Sequence, residues 1–228
     1  MLCLVTDRLR LAGRLGCDPS QALARLPELI AAAAAARIDM VQIRERDLEA
    51  ADLVRLVRAS LDAVAGSSTR VVVNDRLDVA LAAGAGGVHL RSDSLPIERA
   101  KQLAPPGFLI GRSVHSADEA AAAGVAGASY LIFGTVFPSR SKPEDAPLAG
   151  VKQLAEAVRR SNGTPVLAIG GMTPSRAAAV AATGAAGLAG IDLFLPSSEG
   201  YDLTSVAGTV RNAFLQAARA REKRATAG

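Results

Sequence analysis

The sequence predicts an α/β fold, a single (β/α)8 barrel of the TIM type. Three observations lead there. Short apolar or β-branched runs alternate with Ala- and Leu-rich stretches of helical period along the chain. The short runs are apolar throughout, as expected of parallel strands buried on both faces. No G-x-G-x-x-G opens a helix after the first strand, which argues against an open doubly wound sheet.

The strands are expected at Leu2–Val5, Met40–Ile43, Arg70–Val73, Gly87–Leu90, Phe108–Ile110, Tyr130–Phe133, Val166–Ile169 and Gly187–Ile191. Helices are expected near Ser20–Ala36, Leu48–Val64, Leu77–Ala83, Ile97–Leu103, Ala117–Ala123, Val151–Arg159, Pro174–Thr183 and Leu203–Arg219. Gly84, Gly124 and Gly184 suit helix exits. No linker or low-complexity stretch divides the 228 residues. Residues 1–228 are therefore expected to form one domain, with a basic tail from about Arg219.

Composition narrows the function classes. The chain is 50% hydrophobic, 21% charged and 3% aromatic, which excludes disordered, collagen-like and disulfide-scaffold proteins. Cys3 and Cys17 fit neither a metal cluster nor a disulfide framework. No apolar run approaches the roughly 18 residues that span a bilayer. The first residues lack a signal-peptide layout, so a cytoplasmic protein without membrane contact is expected. The formal charge of +4 comes mostly from arginines dispersed among acids. With few aromatics to stack on bases, nucleic acid is not an expected partner.

In such a barrel the chemistry lies at the C-terminal ends of the strands. After the second strand, alternation puts Gln42, Arg44 and Arg46 on one side, where guanidinium forks suit phosphate. An ion-pair network among Arg44, Glu45, Arg46 and Asp47 is the plainer account. After the third strand, Asn74 or Asp75 either caps the next helix or offers oxygen to Mg2+. Asp93, after the fourth, has the same two readings, and His89 reads as a core histidine. Ser116 with Glu119 matches a capping box, which leaves Ser113 and His115 free for other work. The long segment after the sixth strand carries Ser139, Ser141 and Lys142, suited to phosphate or diphosphate. Gly170 and Gly171 precede a helix opening at Pro174, where backbone N–H groups bind phosphate; a tight turn capped by Thr173 is the alternative.

The ordered set Gln42-x-Arg44, Val73-Asn74-Asp75-Arg76, Gly87-Val88-His89-Leu90, Ser139-x-Ser141-Lys142 and Ile169-Gly170-Gly171 resembles the thiamine-phosphate synthase/TenI superfamily. The resemblance runs from Leu4 to about Phe194. It implies an enzyme that joins an aminopyrimidine methyl diphosphate to a thiazole phosphate and releases diphosphate. By that resemblance Gln42, Arg44 and Asn74 hold the pyrimidine diphosphate, and Asp75 binds Mg2+. Ser113 and Lys142 stabilise the departing diphosphate. Ser139 and Ser141 lie near the thiazole phosphate, which Gly170 and Gly171 cradle. The partners implied are small phosphorylated substrates, with homo-oligomerisation left open.

The chain departs from that pattern at several positions. The second metal carboxylate of the synthases falls on Ser94, with Asp93 one residue early as its replacement. Arg46 stands for a lysine, and Asp192 for a serine near the phosphate. Ser92–Pro96 and Arg112–Ser116 resemble the TenI branch, a thiazole tautomerase, yet Thr135 holds the position of its histidine. A TenI-like tautomerase and a non-catalytic phosphate-ligand binder are the alternatives.

Overall fold

A computed structural model of the chain describes residues 1–140, 147–196 and 201–225. Eight parallel strands close in sequential order: β1 (Leu2–Val5), β2 (Met40–Ile43), β3 (Arg70–Asn74), β4 (Gly87–Leu90), β5 (Leu109–Val114), β6 (Tyr130–Phe133), β7 (Val166–Ala168) and β8 (Gly187–Gly190). β8 pairs back onto β1, with Leu188 opposite Leu2. The helices are α1 (Arg8–Leu15), α2 (Pro19–Ala35), α3 (Ala50–Ala63), α4 (Leu77–Ala83), α5 (Ile97–Leu103), α6 (Ala117–Val125), α7 (Gly150–Arg160), α8 (Ala177–Ala182) and α9 (Leu203–Ala225).

Alternation along the strands sends side chains to two apolar regions. One fills the barrel, with Cys3, Val5, Met40, Val72, Tyr130, Ile132, Leu167 and Ala189. The other lies between strands and helices and includes Leu4, Val41, Val73, Leu90 and Phe133. Burying a full Leu or Ile against this second layer is worth about 1.5–3 kcal/mol, so the helices are held mainly by packing.

The eight-strand barrel matches the expectation, and five local features differ. Helix α1 was not expected. Asp7 caps it by accepting from the Arg10 N–H at 3.1 Å, and Gly16 closes it in the left-handed region. β5 runs on to Val114, so Ser113 sits on a strand rather than in the following loop. Gly124 lies inside α6, where it allows close approach to the Ser161 backbone. The helix expected from Pro174 begins as a 3-10 turn, Pro174–Arg176, before α8. The basic tail continues α9, and Arg221 donates to the Ala181 carbonyl at 2.7 Å.

Four capping expectations also need correction or refinement. Neither Asn74 nor Asp75 caps α4, whose N-cap position is Arg76 without a side-chain bond. Asp93 does not cap α5, which opens at Pro96. Thr173 occupies the position before the 3-10 turn, but its hydroxyl meets Ser175 rather than the backbone. Ser116 does cap α6, yet the Glu119 carboxylate takes the His115 N–H at 2.8 Å instead of closing the box on Ser116. Cys3 and Cys17 are both free, and no described helix is long and apolar enough to cross a membrane.

Candidate active site

The C-terminal ends of the strands open into a cavity of about 450 Å³, bordered by Gln42, Arg44, Asn74, His89, Ser113 and Ser139 among others. On β2, Gln42 is buried and its amide donates to the Asn74 carbonyl oxygen at 3.0 Å. That bond ties β2 to β3 and leaves the Asn74 amide nitrogen for a ligand.

Beyond β2, alternation separates two charge systems. Arg44 and Arg46 border the cavity, whereas Glu45 turns away and is buried. The expected network within residues 44–47 does not form. Glu45 instead receives the Arg8 backbone N–H and guanidinium, each at 3.2 Å. Asp47 takes a bidentate bond from the same guanidinium at 2.6 Å, which holds its carboxyl down at about 2. Helix α1 thereby absorbs both acids and leaves the arginines facing the mouth. Burial, reinforced by the neighbouring Arg46, lowers the pKa of Arg44.

Asp75 follows β3 in the left-handed region, with φ of 62°, and its N–H bonds the His89 carbonyl at 2.9 Å. Its carboxylate borders a smaller adjoining cavity of about 140 Å³ with Asn74, Arg46 and Arg91. The Arg91 guanidinium lies 3.8 Å from Asp75 and grips Asp93 at 3.0 and 2.5 Å. One cation thus stands between the two candidate metal carboxylates. The Arg91 bonds also lower the pKa of Asp93.

His89 is buried with both ring nitrogens engaged, Nδ1 with the Tyr130 hydroxyl at 3.2 Å and Nε2 with Ser113 Oγ at 2.9 Å. Burial depresses its pKa to about 3, so the imidazole is neutral. The core-histidine reading holds, although the ring also borders the mouth. Ser113 faces the same space. His115 faces it too, its Nδ1 against the Gly134 carbonyl at 2.6 Å.

On the far side, Gly170 and Gly171 turn with φ of 101° and 59°, a path that favours glycine. A Cβ on either would collide, with Thr135 or with the Pro138 carbonyl. This turn and Ser139 border a second cavity of about 240 Å³, along with Arg10, Arg140, Arg176 and Asp192. Arg176 donates to the Gly171 carbonyl and lies 4.6 Å above the Phe137 ring. Asp192 opens a 3-10 turn and is paired with Arg10. Ser141 and Lys142 lie outside the described residues.

The structure therefore brings Gln42, Arg44, Asn74, Asp93, Ser113, Ser139 and Gly170 around one mouth, with Asp75 in the adjoining recess and Gly171 in the glycine turn. Sequence reasoning missed Arg10, Arg140 and Arg176. The Asp7 cap and the Gly16 exit were the signals that would have revealed the helix carrying Arg10.

The family model described as thiamine monophosphate synthase matches residues 2–194. The chain is 39% identical over 211 residues to a thiamine-phosphate synthase of Methanoculleus marisnigri, covering 92% of this chain and 93% of that one. It is 38% identical to the Methanocella arvoryzae thiamine-phosphate synthase, covering 81% and 85%. Among solved structures, thiamine phosphate pyrophosphorylase from Pyrococcus furiosus superposes with a TM-score of 0.77 at 30% identity, covering 95% and 96%. A 3-hexulose-6-phosphate synthase at 18% identity, with a TM-score of 0.60 over 93% and 98%, shares the fold alone. By its sequence profile, its relatives and its barrel, the chain belongs to the thiamine monophosphate synthase family.

Proposed function

We propose that this chain couples an aminopyrimidine methyl diphosphate to a thiazole phosphate and releases diphosphate. One observation carries the reading: two basic recesses meet at one mouth, and Ser139 and Gly170 border both. A diphosphate held by Arg44, with the amides of Gln42 and Asn74 on the pyrimidine side, would then face a phosphate seated at the Gly170–Gly171 turn. Such placement supplies proximity, which can account for several kcal/mol of a bimolecular barrier.

The reaction suits a dissociative path, because the electron-rich pyrimidine stabilises a methylene cation as diphosphate departs. Catalysis then needs hydrogen bonds and cations on the leaving group rather than a strong base. In this reading Ser113 donates to the departing diphosphate and Lys142 neutralises it. Ser139 and Ser141 hydrogen-bond the thiazole phosphate.

Asp75 and Asp93 fit Mg2+, a hard cation that takes one or two carboxylates and completes its shell with water and substrate phosphate. Among the described residues no cluster of three or more acidic, His or Cys groups would hold such an ion by protein alone. When bound, Mg2+ supplies further charge neutralisation on the diphosphate. The carboxylates would exchange Arg91 for the ion.

The test is direct: incubate the purified protein with both substrates and Mg2+ and measure thiamine phosphate. Absence of product under conditions that support a known synthase overturns the reading. The tautomerase alternative has no comparable support, since Thr135 at the mouth carries no imidazole.

A further inference from the structure

Three neighbouring strands bring Ser113, His89 and Tyr130 into one chain of contacts. His89 on β4 is in register with Gly111 on β5, and Gly111 with Tyr130 on β6. The tyrosine and histidine rings meet across that glycine, centroids 5.5 Å apart. A Cβ at Gly111 would strike the Tyr130 ring and come within 2.6 Å of His89 Nδ1, so the absence of a side chain there is what permits the contact.

The direction of each hydrogen bond follows from counting donors. Tyr130 is fully buried in the barrel, among Cys3, Val72 and Leu167. Among the described residues, its hydroxyl has one hydrogen-bond partner, His89 Nδ1. If Nδ1 carried the proton, it would donate to the tyrosine oxygen, and the tyrosine O–H would be buried without an acceptor. If Tyr130 donates to a bare Nδ1, every group is satisfied and the neutral ring carries its proton on Nε2. That N–H donates to Ser113 Oγ, 2.9 Å away. The hydroxyl proton of Ser113 is then free to point into the mouth.

We propose that Tyr130 and His89 are positioning residues that hold Ser113 as a hydrogen-bond donor facing the mouth. The relay excludes the reverse role, because the histidine nitrogen beside Ser113 already bears a proton and accepts none from it. Ser113 is thus set to donate to an anionic oxygen, not to attack as a nucleophile. Its use on the departing diphosphate rests on the synthase reading above; the direction of the relay does not.

The chain has two histidines, which makes the test simple. In protein labelled with 15N-histidine, long-range 1H–15N correlation distinguishes the two tautomers without substrate. His89 is expected with bare Nδ1 and protonated Nε2, and the opposite tautomer in the wild type overturns the proposal. Tyr130→Phe removes the donor to Nδ1, so the Nδ1 15N shift should move towards that of an unbonded ring nitrogen while the fold, checked by circular dichroism, persists. An unmoved Nδ1 shift in that variant also overturns it.

In the coupling assay, Tyr130→Phe should lower kcat about tenfold with KM for the thiazole phosphate unchanged. His89→Gln, which keeps an N–H near Ser113, should retain more activity than His89→Leu. Unaltered kcat in Tyr130→Phe, or equal loss in both His89 variants, refutes the positioning role. A wild type that forms no thiamine phosphate refutes the functional reading instead, leaving the tautomer measurement to decide the relay.

Discussion

Arg10 and Asp192, 182 residues apart in sequence, form an ion pair at the edge of the glycine-turn cavity. A bare carboxylate beside a bound phosphate is adverse, roughly 4 kcal/mol for unit charges at 4 Å and an effective dielectric near 20. Partial exposure of this pair reduces that figure, and Arg10 offsets it by neutralising the acid. Asp192→Ser should therefore change affinity for the thiazole phosphate less than about threefold. Arg10→Ala should weaken it tenfold or more, because Asp192 then faces the phosphate alone. Calorimetric titration of both variants measures this, and wild-type affinity in Arg10→Ala would exclude a phosphate at this end.

Asp75 offers a clean separation of chemistry from stability. It caps no helix, and its left-handed backbone is one that asparagine tolerates well. Asp75→Asn should thus shift thermal unfolding little while turnover falls by orders of magnitude at saturating Mg2+. Unchanged turnover would remove Asp75 from the metal assignment.

The barrel was legible because its evidence is local. Runs such as Val71–Val73 and Leu131–Phe133 are apolar on both faces and rich in β-branched residues, the pattern expected of a covered parallel strand. Helix α1 was hidden by its own composition, since four of its eight residues are arginine or glycine and only Leu11 and Ala12 are buried. Single strand ends such as Gln42, Asn74 and Gly170 were legible for the same local reason. Pairings between distant segments were not. Arg8 with Glu45 and Arg10 with Asp192 depend on where α1 packs, and Arg91 between Asp75 and Asp93 depends on β3 meeting β4. Two of the capping errors share a cause: Asp75 and Asp93 cap helices in many contexts, but here Arg91 bonds Asp93 and lies 3.8 Å from Asp75.

Gly171 tests the phosphate turn. Gly171→Val would put a β-branched residue at a φ of 59°, at a cost of at least about 1–2 kcal/mol, and its Cβ would meet the Pro138 carbonyl. We expect a folded but less stable variant with at least tenfold weaker thiazole phosphate binding. Affinity for the aminopyrimidine diphosphate should stay within about threefold. Equal loss for both ligands would point to a general collapse of the mouth rather than to a phosphate subsite.

His89 ties the site to acid stability. Its pKa is lowered by burial from the ordinary 6.5 to about 3. Between those values the unfolded chain binds a proton on this residue and the folded chain does not. The unfolded state therefore gains as pH falls, and stability is lost through that window at up to about 1.4 kcal/mol per pH unit. Carboxylates with lowered pKa, such as Asp47 and Asp93, add their own loss only below the ordinary value of 3.8. Burial raises the Glu45 pKa and lowers that of the amino terminus. The histidine's share is therefore read as the difference between wild type and His89→Gln in urea unfolding between pH 6.5 and 5, where those contributions cancel. His89→Gln should be less stable at pH 7 but flatter across that range. If wild type and variant show the same slope, His89 titrates alike in both states, and the buried neutral imidazole beneath Ser113 is wrong.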